Sequence, residues 1–266
     1  MTAARYLVLH GAAGRMGQSI LRLLPESSLK LGAALVRPGS AWVGEPIADH
    51  VSGAKVDQEF LDALDPDAEC SVLMDFSHGE SFSAALELAR YRGAAFVSGT
   101  TGLNPLQQSE LAHAAQHIPV IWSANFSVGV ALLTRLVREA SRALGSSADV
   151  EIVETHHRHK QDAPSGTAWH LGQAVAEGRE IVLDTVAVTD RAALQSARQP
   201  GEIGFASLRA GDVVGEHTVL FALEGERLTL SHSAGHRDLF ARGALRAAEW
   251  IIGRPAGLYR MEDVLG

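Results

Sequence analysis

The chain contains 266 residues, and its 46% hydrophobic and 20% charged residues are typical of a folded protein rather than a disordered one. Its formal net charge is −8 at pH 7, which disfavours nucleic-acid binding because phosphates are held by positive surfaces. A single cysteine, Cys70, excludes an internal disulfide framework.

The amino terminus leads almost directly into a strand-like run at residues 6–9, without the apolar stretch of a secretory signal. No segment of the sequence is long and apolar enough to cross a bilayer. We therefore expect a cytoplasmic protein that acts neither on membranes nor on nucleic acids. Cys70 lies in an apolar strand-like run, which is typical of a small buried residue.

The first half of the chain alternates strand-like and helix-like segments. Such alternation predicts an α/β unit with a parallel sheet covered by helices on both faces. The predicted strands cover 5–10, 31–37, 70–76, 94–97 and 119–122, and the predicted helices cover 14–24, 80–91 and 105–116.

A glycine-containing loop at 11–17 follows the first strand and opens the first helix, as a dinucleotide-binding fingerprint requires. Gly11 permits a tight turn, Gly14 lets the helix backbone approach a pyrophosphate, and Gly17 lets helix and strand pack closely. The positive end of the helix then faces the phosphates, and Arg15 adds a charged contact. Ala13 stands where the middle glycine is usual, so a purely structural turn remains an alternative.

The end of the second strand bears on the choice of cofactor. NAD sites usually carry an acidic residue there, which binds the ribose hydroxyls. This chain has Val36 followed by Arg37, and Arg37 can accept a 2′-phosphate. The sequence therefore favours NADPH, with NADH possible; the alternative is that Arg37 is only a solvated charge at a strand end.

Two later loops, at 99–102 and 123–126, also follow predicted parallel strands. The carboxyl ends of such strands meet at the edge of the sheet where ligands bind. Their small and hydroxyl-bearing residues would let a nicotinamide ring approach, although ordinary turn chemistry gives the same residues.

After about residue 127 the pattern changes to an α+β arrangement. A helix is predicted over 128–144, a strand over 150–155 and a further helix from about 165. Four strand-like runs follow at 181–189, 203–208, 213–223 and 227–232, and a final helix covers 238–252. Because no helices separate these four runs, we expect them to pair antiparallel. The polar segment 191–201 is predicted as a loop.

The densest polar cluster follows the strand at 150–155. Residues 156–160 include three histidines, an arginine and a lysine, and so much positive charge favours an anionic ligand such as a dicarboxylate. Residues 165–167 open a helix whose N–H groups form a second anion site. Histidine is also the natural general acid near neutral pH.

Two alternatives apply to this cluster. A zinc site is disfavoured because neighbouring histidines on a strand point to opposite faces and no cysteine lies nearby. A solvated surface run is the other alternative, since charged runs often have no further role. The helix-opening segment directly after the cluster favours a binding site instead.

Together these motifs resemble the dihydrodipicolinate reductase family. The resemblance runs in order from end to end and is most specific in the His-His-Arg-His-Lys run at 156–160 with the Asp-Ala-Pro-Ser-Gly-Thr run at 162–167. The other matching segments are 11–17, 99–102, 124–129, 204–206, 209–212, 214–217 and 257–259.

The resemblance implies an α/β fold. A Rossmann-like dinucleotide-binding domain is made of 1–127 and 237–266, and a central α+β domain with a mixed or antiparallel sheet covers 128–236. The central domain would bind a small cyclic dicarboxylate and form a homotetramer. The implied activity is NAD(P)H-dependent reduction of 4-hydroxy-tetrahydrodipicolinate, through dihydrodipicolinate, to tetrahydrodipicolinate in diaminopimelate and lysine biosynthesis.

The same resemblance implies roles for single residues, and from the spacing of the histidines we expect no metal site. His156 is the implied proton donor and Lys160 a second donor or charge partner. The implied substrate-binding residues are His157, Ser165, Gly166 and Thr167. The implied cofactor-binding residues are Gly11, Ala12, Ala13, Gly14, Arg15, Met16, Arg37, Gly99, Thr100, Thr101, Ser123, Ala124, Asn125 and Phe126. The family often has an acidic residue in place of Val36, and this departure puts efficient use of NADH in doubt.

Other functional classes stay open at the level of sequence. A nucleotide-sensing protein on the same fold, or a scaffold with a vestigial site, would turn nothing over. A semialdehyde dehydrogenase with a covalent step would need a reactive loop cysteine, and the strand position of Cys70 disfavours it.

Overall fold

The computed structural model describes residues 4–266, which form two compact units. The first unit contains the chain up to Phe126 together with Asp238–Gly266. The second unit contains Ser127–Arg237. Each unit has its own sheet and its own core.

The strands and helices are numbered in chain order. The strands are β1 Tyr6–His10, β2 Lys30–Leu35, β3 Phe60–Leu61, β4 Val72–Asp75, β5 Ala95–Ser98, β6 Pro119–Trp122, β7 Asp149–His156, β8 Ala187–Val188, β9 Ile203–Arg209, β10 Glu216–Ala222, β11 Arg227–Ser233 and β12 Gly257–Tyr259. The helices are α1 Arg15–Leu23, α2 Ile47–His50, α3 Gly79–Tyr91, α4 Pro105–Ala114, α5 Val128–Leu144, α6 Gly166–Arg179, α7 Arg191–Leu194 and α8 Asp238–Ile251.

The first unit is built on a seven-stranded sheet in the order β12-β6-β5-β4-β1-β2-β3. Every neighbouring pair is parallel. Leu7, Val8 and Leu9 of β1 are fully buried, because a central parallel strand is covered on both faces. The predicted α/β, Rossmann-like architecture is therefore confirmed.

The strand order places a switch point beside β1, which pairs with β2 on one side and with β4 on the other. Ligands of open α/β sheets bind at such a point, outside the carboxyl ends of the strands. The loops after β1, β4 and β5 meet at this edge.

The second unit contains a five-stranded mixed sheet in the order β11-β10-β7-β9-β8. β10 runs antiparallel to β7 and β11, as expected, but β9 runs parallel to both β7 and β8. The expectation that all four runs after α6 pair antiparallel is wrong. The chain between β7 and β9 contains the crossover helix α6, and the segment between β8 and β9 contains α7, so both connections are long enough for parallel pairing. The mixed sheet is one of the two alternatives that the sequence left open.

Helices α5 and α6 cover one face of this mixed sheet. Their apolar residues, among them Leu133 and Leu171, pack with Val150, Ile152 and Phe221 in one buried core. Side chains alternate along β7, so Glu154 and His156 point to the same helix-covered face as Ile152. Two polar side chains thus extend a row of buried apolar ones.

Three local expectations differ from the structure. The predicted strand over 181–189 is a 3₁₀ turn, Leu183–Thr185, followed by the two-residue strand β8. Strand β10 begins at Glu216 rather than 213, because Val213 N–H closes a turn onto Ala210. The predicted loop 191–201 contains the short helix α7, capped by Asp190, which accepts a hydrogen bond from the Ala193 N–H.

Cys70 precedes β4 and is a free, half-buried thiol whose pKa burial raises to about 11. Among residues 4–266, none of the helices has the length and apolar character needed to cross a membrane.

Candidate active site

The loop after β1 is tightly packed against Phe76, the residue that directly follows β4. Gly11 has φ +82°, and a Cβ there would lie 2.6 Å from the Phe76 carbonyl oxygen. A Cβ on Gly17 would lie 2.4 Å from the Gly11 oxygen. Both positions therefore require glycine for packing, whereas Ala13 is accommodated in the loop while remaining half-buried.

The amino terminus of α1 lies directly behind this loop. Gly14 is its N-cap and is exposed, and its N–H donates to the Gly11 oxygen at 3.0 Å. The N–H groups of Gly11 and Ala12 are used differently, since both donate to the Leu35 oxygen of β2. The first N–H groups of a helix have no partner within the helix, so Arg15 and Met16 present theirs at this edge.

A buried carboxylate joins the carboxyl ends of three strands at the same edge. Asp75 is fully buried and accepts hydrogen bonds from His10 Nδ1 at 2.9 Å, Ser98 Oγ at 3.0 Å and Thr100 Oγ1 at 2.7 Å. Ser77 Oγ adds a fourth at 2.5 Å. Burial raises the pKa of Asp75, but the hydrogen bonds from His10, Ser77 and Thr100 outweigh it and lower the pKa. Of the proposed cofactor residues, Thr100 is thus buried, with its hydroxyl directed to Asp75.

The other two proposed cofactor loops converge around Phe76. A Cβ on Gly99 would lie 2.2 Å from the Phe76 ring, and Phe126 packs edge-on against that ring at 5.3 Å. Trp122 Nε1 donates to the Thr100 oxygen at 2.8 Å and so links the two loops. Thr101 and Ala124 are exposed, whereas Asn125 is half-buried. The backbone oxygen of Asn125 accepts a hydrogen bond from Ser123 Oγ at 2.7 Å.

Arg37 lies just beyond the end of β2, after the buried Val36. Its side chain is exposed and forms no ion pair within residues 4–266. The guanidinium is therefore available to an anion at this strand end.

His156 ends β7 and lies against a buried carboxylate. His156 is 9% exposed, and its Nδ1 is 2.5 Å from Glu154 Oε2. Glu154 is 1% exposed and accepts two further bonds from Arg209, both at 2.9 Å. Burial raises the pKa of Glu154, but the hydrogen bonds from Arg209 and His156 outweigh it and lower the pKa to about 2. Glu154 is therefore ionised at neutral pH.

The start of α6 lies beside this carboxylate. Ser165 donates its backbone N–H to Glu154 Oε1 at 3.2 Å, and its hydroxyl accepts from the Ala168 N–H at 3.2 Å as the N-cap of the helix. Gly166 and Thr167 form the first turn; Gly166 is exposed and has open space around it. The structure thus brings His156 and the α6 amino terminus together.

His217 of β10 completes the wall around His156. The two rings meet edge to face at 5.1 Å, and His217 Nε2 is 3.2 Å from the Ser165 hydroxyl. Burial, and then the charge of His156, lowers the pKa of His217 to about 4. His217 is therefore neutral at pH 7. A Cβ on Gly215, beside the His156 ring, would lie 3.0 Å from His156 Nε2.

Lys160 and His157 lie on the turn that follows. Lys160 Nζ donates to the Asp162 carboxylate at 2.8 Å, and this bond lowers the Asp162 pKa. Burial and the charge of Arg237 lower the pKa of the half-buried His157. The positive charge of Arg237, which belongs to the same unit, thus acts on His157.

Sequence reasoning gave no role to several of these residues. Glu154 had a detectable signal, because a residue two positions before His156 on a strand shares its face. Arg209, Gly215 and His217 lie in segments that resemble the family, but their proximity to His156 depends on strand pairing that the sequence does not predict. Arg237 had no signal. No group of three or more His, Cys, Asp or Glu side chains within residues 4–266 could hold a metal ion.

Comparisons with known proteins agree along the whole chain. The family model for the dihydrodipicolinate reductase N-terminus matches residues 6–126, and that for the C-terminus matches residues 129–265. A 4-hydroxy-tetrahydrodipicolinate reductase of Pseudomonas fluorescens (strain SBW25) is 47% identical over 264 residues, covering 98% of each chain. The similarly named protein of Acinetobacter baumannii (strain AYE) is 43% identical over 270 residues, covering 100% of this chain and 98% of the relative.

A solved structure is similar in fold. It is the dipicolinate-bound dihydrodipicolinate reductase from Paenisporosarcina sp. TG-14, with a TM-score of 0.77 and 22% identity. The match covers 98% of this chain and 99% of the other.

Proposed function

This chain belongs to the dihydrodipicolinate reductase family and is an oxidoreductase that reduces 4-hydroxy-tetrahydrodipicolinate to tetrahydrodipicolinate in diaminopimelate and lysine biosynthesis, and we propose that the cluster around His156 is its active site. One observation carries this assignment. The titratable ring of His156 and the amino terminus of α6 both bond to Glu154, so an acid–base group lies beside an anion site.

The reaction needs a hydride and a proton. A nicotinamide dinucleotide supplies the hydride when bound. His156 supplies the proton to the substrate atom on which hydride transfer leaves negative charge. Lys160, partly shielded from solvent and paired with Asp162, serves as a second donor or stabilises the developing charge.

The two substrate carboxylates are assigned to groups around the start of α6. The first turn of α6, at Gly166 and Thr167, and the positive end of the helix dipole favour an anion there. Ser165 holds this helix end in place as its N-cap. His157 binds carboxylate from the preceding turn.

The residues at the carboxyl edge of the seven-stranded sheet fit a dinucleotide. The chain approaches β4 so closely at Gly11 that no Cβ fits, and α1 points its amino terminus to the same edge. We assign cofactor binding to the residues implied by the resemblance at 11–16, 99–101 and 123–126 and to Arg37. Arg37 supports a preference for NADPH, because its side chain is exposed and has no ion-pair partner within residues 4–266.

The domain roles follow from these assignments. The dinucleotide-binding domain corresponds to 1–127 and 237–266, and the substrate domain to 128–236. The sheet of the second unit supports a homotetramer, because β11 is an edge strand and Leu208, on the face away from α5 and α6, is 52% exposed. We assign the protein to the cytoplasm, and the free thiol of Cys70 fits this reducing compartment.

An absorbance assay tests the function. The substrate is generated in place by condensing pyruvate with aspartate semialdehyde, and oxidation of NADPH and of NADH is followed separately. Substrate-dependent oxidation, faster with NADPH, is expected. Folded protein that binds NADPH but oxidises neither cofactor would contradict the assignment, and sedimentation analysis of the same sample tests the tetramer.

A further inference from the structure

The Glu154 carboxylate has no spare hydrogen-bonding capacity towards solvent. Its Oε2 accepts from His156 Nδ1 at 2.5 Å and from Arg209 Nη1 at 2.9 Å. Its Oε1 accepts from Arg209 Nη2 at 2.9 Å and from the Ser165 N–H at 3.2 Å. Three separate segments, β7, β9 and the start of α6, therefore fix one buried acid.

We infer that Glu154, held by Arg209, is a positioning residue that keeps the proton on Nδ1 of His156 and leaves Nε2 as the atom that delivers a proton to the substrate. This inference rests on the proposed function and deepens it. It concerns which atom of His156 acts and what holds that atom in place.

The tautomer follows from what an ionised carboxylate can do. It accepts hydrogen bonds and donates none, so the ring nitrogen facing Glu154 must carry a hydrogen. In the doubly protonated ring, the N–H bond at Nε2 breaks and its proton bonds to the substrate atom made negative by hydride transfer. The nicotinamide is oxidised, the substrate is reduced, and His156 is left neutral with its hydrogen on Nδ1.

The surroundings of Nε2 are consistent with this role. Gly215 lies beside it, and a Cβ at that position would come within 3.0 Å of Nε2 and 3.3 Å of Cδ2. Glycine therefore leaves room next to the reactive atom. The His217 ring also lies next to the His156 ring, with 5.1 Å between the ring centroids and 73° between the ring planes. Because burial lowers the His217 pKa to about 4, this neighbour adds no charge at neutral pH.

Arg209 holds more than the carboxylate. Its guanidinium also donates to the backbone oxygens of Asp162 at 2.6 Å and Lys160 at 3.3 Å. The same side chain thus fixes the carboxylate behind His156 and the turn that carries Lys160. A lysine in this place lacks the planar fork needed for both oxygens of Glu154.

Glu154→Gln in the full chain tests the inference by kinetics. We expect kcat to fall on the order of 100-fold, with little change in substrate KM or NADPH affinity, because the ring loses its fixed tautomer. The matched control is Glu151→Gln, on the same strand but the opposite face, where Glu151 pairs with Arg198. It should keep kcat within about twofold of the parent protein, as expected for a half-exposed pair.

A double-mutant cycle separates positioning from a structural effect. If Glu154 acts through His156, Glu154→Gln should cost nothing further in a His156→Ala background. An equal loss of kcat in both backgrounds would overturn the inference. Should the glutamine variant fail to fold, Glu154→Asp is used instead, which keeps the charge but withdraws it from Nδ1.

Nitrogen NMR of the histidine rings gives a readout that does not depend on turnover. The neutral His156 ring of the parent protein should be the Nδ1–H tautomer, and Glu154→Gln should give a mixture. An Nε2–H tautomer in the parent protein would overturn the inference even if the enzyme turns over normally. Failure of reduction with an Nδ1–H tautomer present would instead reject the proposed function.

Discussion

Each compact unit contains a buried carboxylate that accepts a hydrogen bond from a histidine Nδ1. In the first unit Asp75 holds His10 at 2.9 Å, and its other side-chain donors are hydroxyl groups. In the second unit Glu154 holds His156 at 2.5 Å, and its other side-chain donors include the guanidinium of Arg209. The two histidines therefore differ in what stands behind the carboxylate.

This difference indicates a structural role for Asp75 and agrees with the positioning role inferred for Glu154. The uncharged hydroxyl groups of Ser77, Ser98 and Thr100, at or just after the ends of β4 and β5, donate to Asp75 and so link these strand ends. The guanidinium of Arg209 instead places a positive charge against Glu154 and helps to keep this carboxylate ionised behind His156. We therefore expect the His10–Asp75 pair to support the fold and the His156–Glu154 pair to support turnover. Substituting the histidine or the acid of each pair should distinguish these two roles.

The largest expected effect is on turnover, at His156. His156→Ala should lower kcat by about 10²- to 10⁴-fold, the range for loss of a positioned acid, while NADPH affinity is retained. Steady-state kinetics and fluorescence titration with NADPH measure the two quantities. The matched variant His10→Ala removes the partner of Asp75 and should leave kcat within about threefold. Equal loss of turnover and cofactor binding in His156→Ala would remove His156 from the chemistry.

The second effect is on stability, at Asp75. Asp75→Asn places an amide where four side-chain donors converge, so the free energy of unfolding should fall by about 3 kcal/mol. Urea denaturation followed by circular dichroism gives the value. Asp65→Asn, an exposed acid in the same unit, is the control and should change it by less than about 0.5 kcal/mol. An unchanged midpoint for Asp75→Asn would show that the four hydrogen bonds contribute no net stability.

The third effect is on acid sensitivity, at Glu154. Its pKa falls from an ordinary 4.5 to about 2 on folding, so its contribution to stability is complete above pH 4.5 and disappears as the pH falls towards 2. Allowing for solvent screening, this contribution is about 2 kcal/mol. Unfolding free energies measured between pH 6 and 3 should therefore decline less in Glu154→Gln than in the parent. Parallel declines would contradict the low pKa.

The smallest expected effect concerns the cofactor, at Arg37. Arg37→Ala should weaken NADPH binding about tenfold, the effect of one charged contact, and leave NADH binding unchanged. Calorimetric titration with each dinucleotide gives both constants. Arg15→Ala is the comparison, since a contact to the pyrophosphate weakens both cofactors alike. If Arg37→Ala shifted the two constants together, the 2′-phosphate assignment would be wrong.

The sequence predicted features that depend on local pattern. Alternating strands and helices predicted the parallel sheet of the first unit. The proximity of His156 to the start of α6 was expected because only eight residues separate His156 from Ser165. Both conclusions depend on residues that are close together in the sequence, whose positions follow from the geometry of a single strand, turn or helix.

Features that depend on strand pairing could not be predicted. Arg209 lies 55 positions from Glu154, and only the parallel register of β9 beside β7 brings the two together. That register was itself unexpected, because residues 191–201, which contain α7 and join β8 to β9, were predicted as a loop. Thr100 shows a similar limit: its residue type suggested cofactor binding, but only the structure shows that its hydroxyl bonds to Asp75.

The close contact between Gly99 and Phe76 has a consequence for how this chain can diverge. A methyl group at 99 would overlap the Phe76 ring, at 2.2 Å from Cε1, and Gly11 is pressed against the backbone of the same residue. Neither Gly99 nor Gly11 can be replaced on its own, because any larger residue at either position would clash with Phe76. A viable route must shrink the ring at 76 before 99 enlarges, so the order of substitutions, and not only their identity, is constrained.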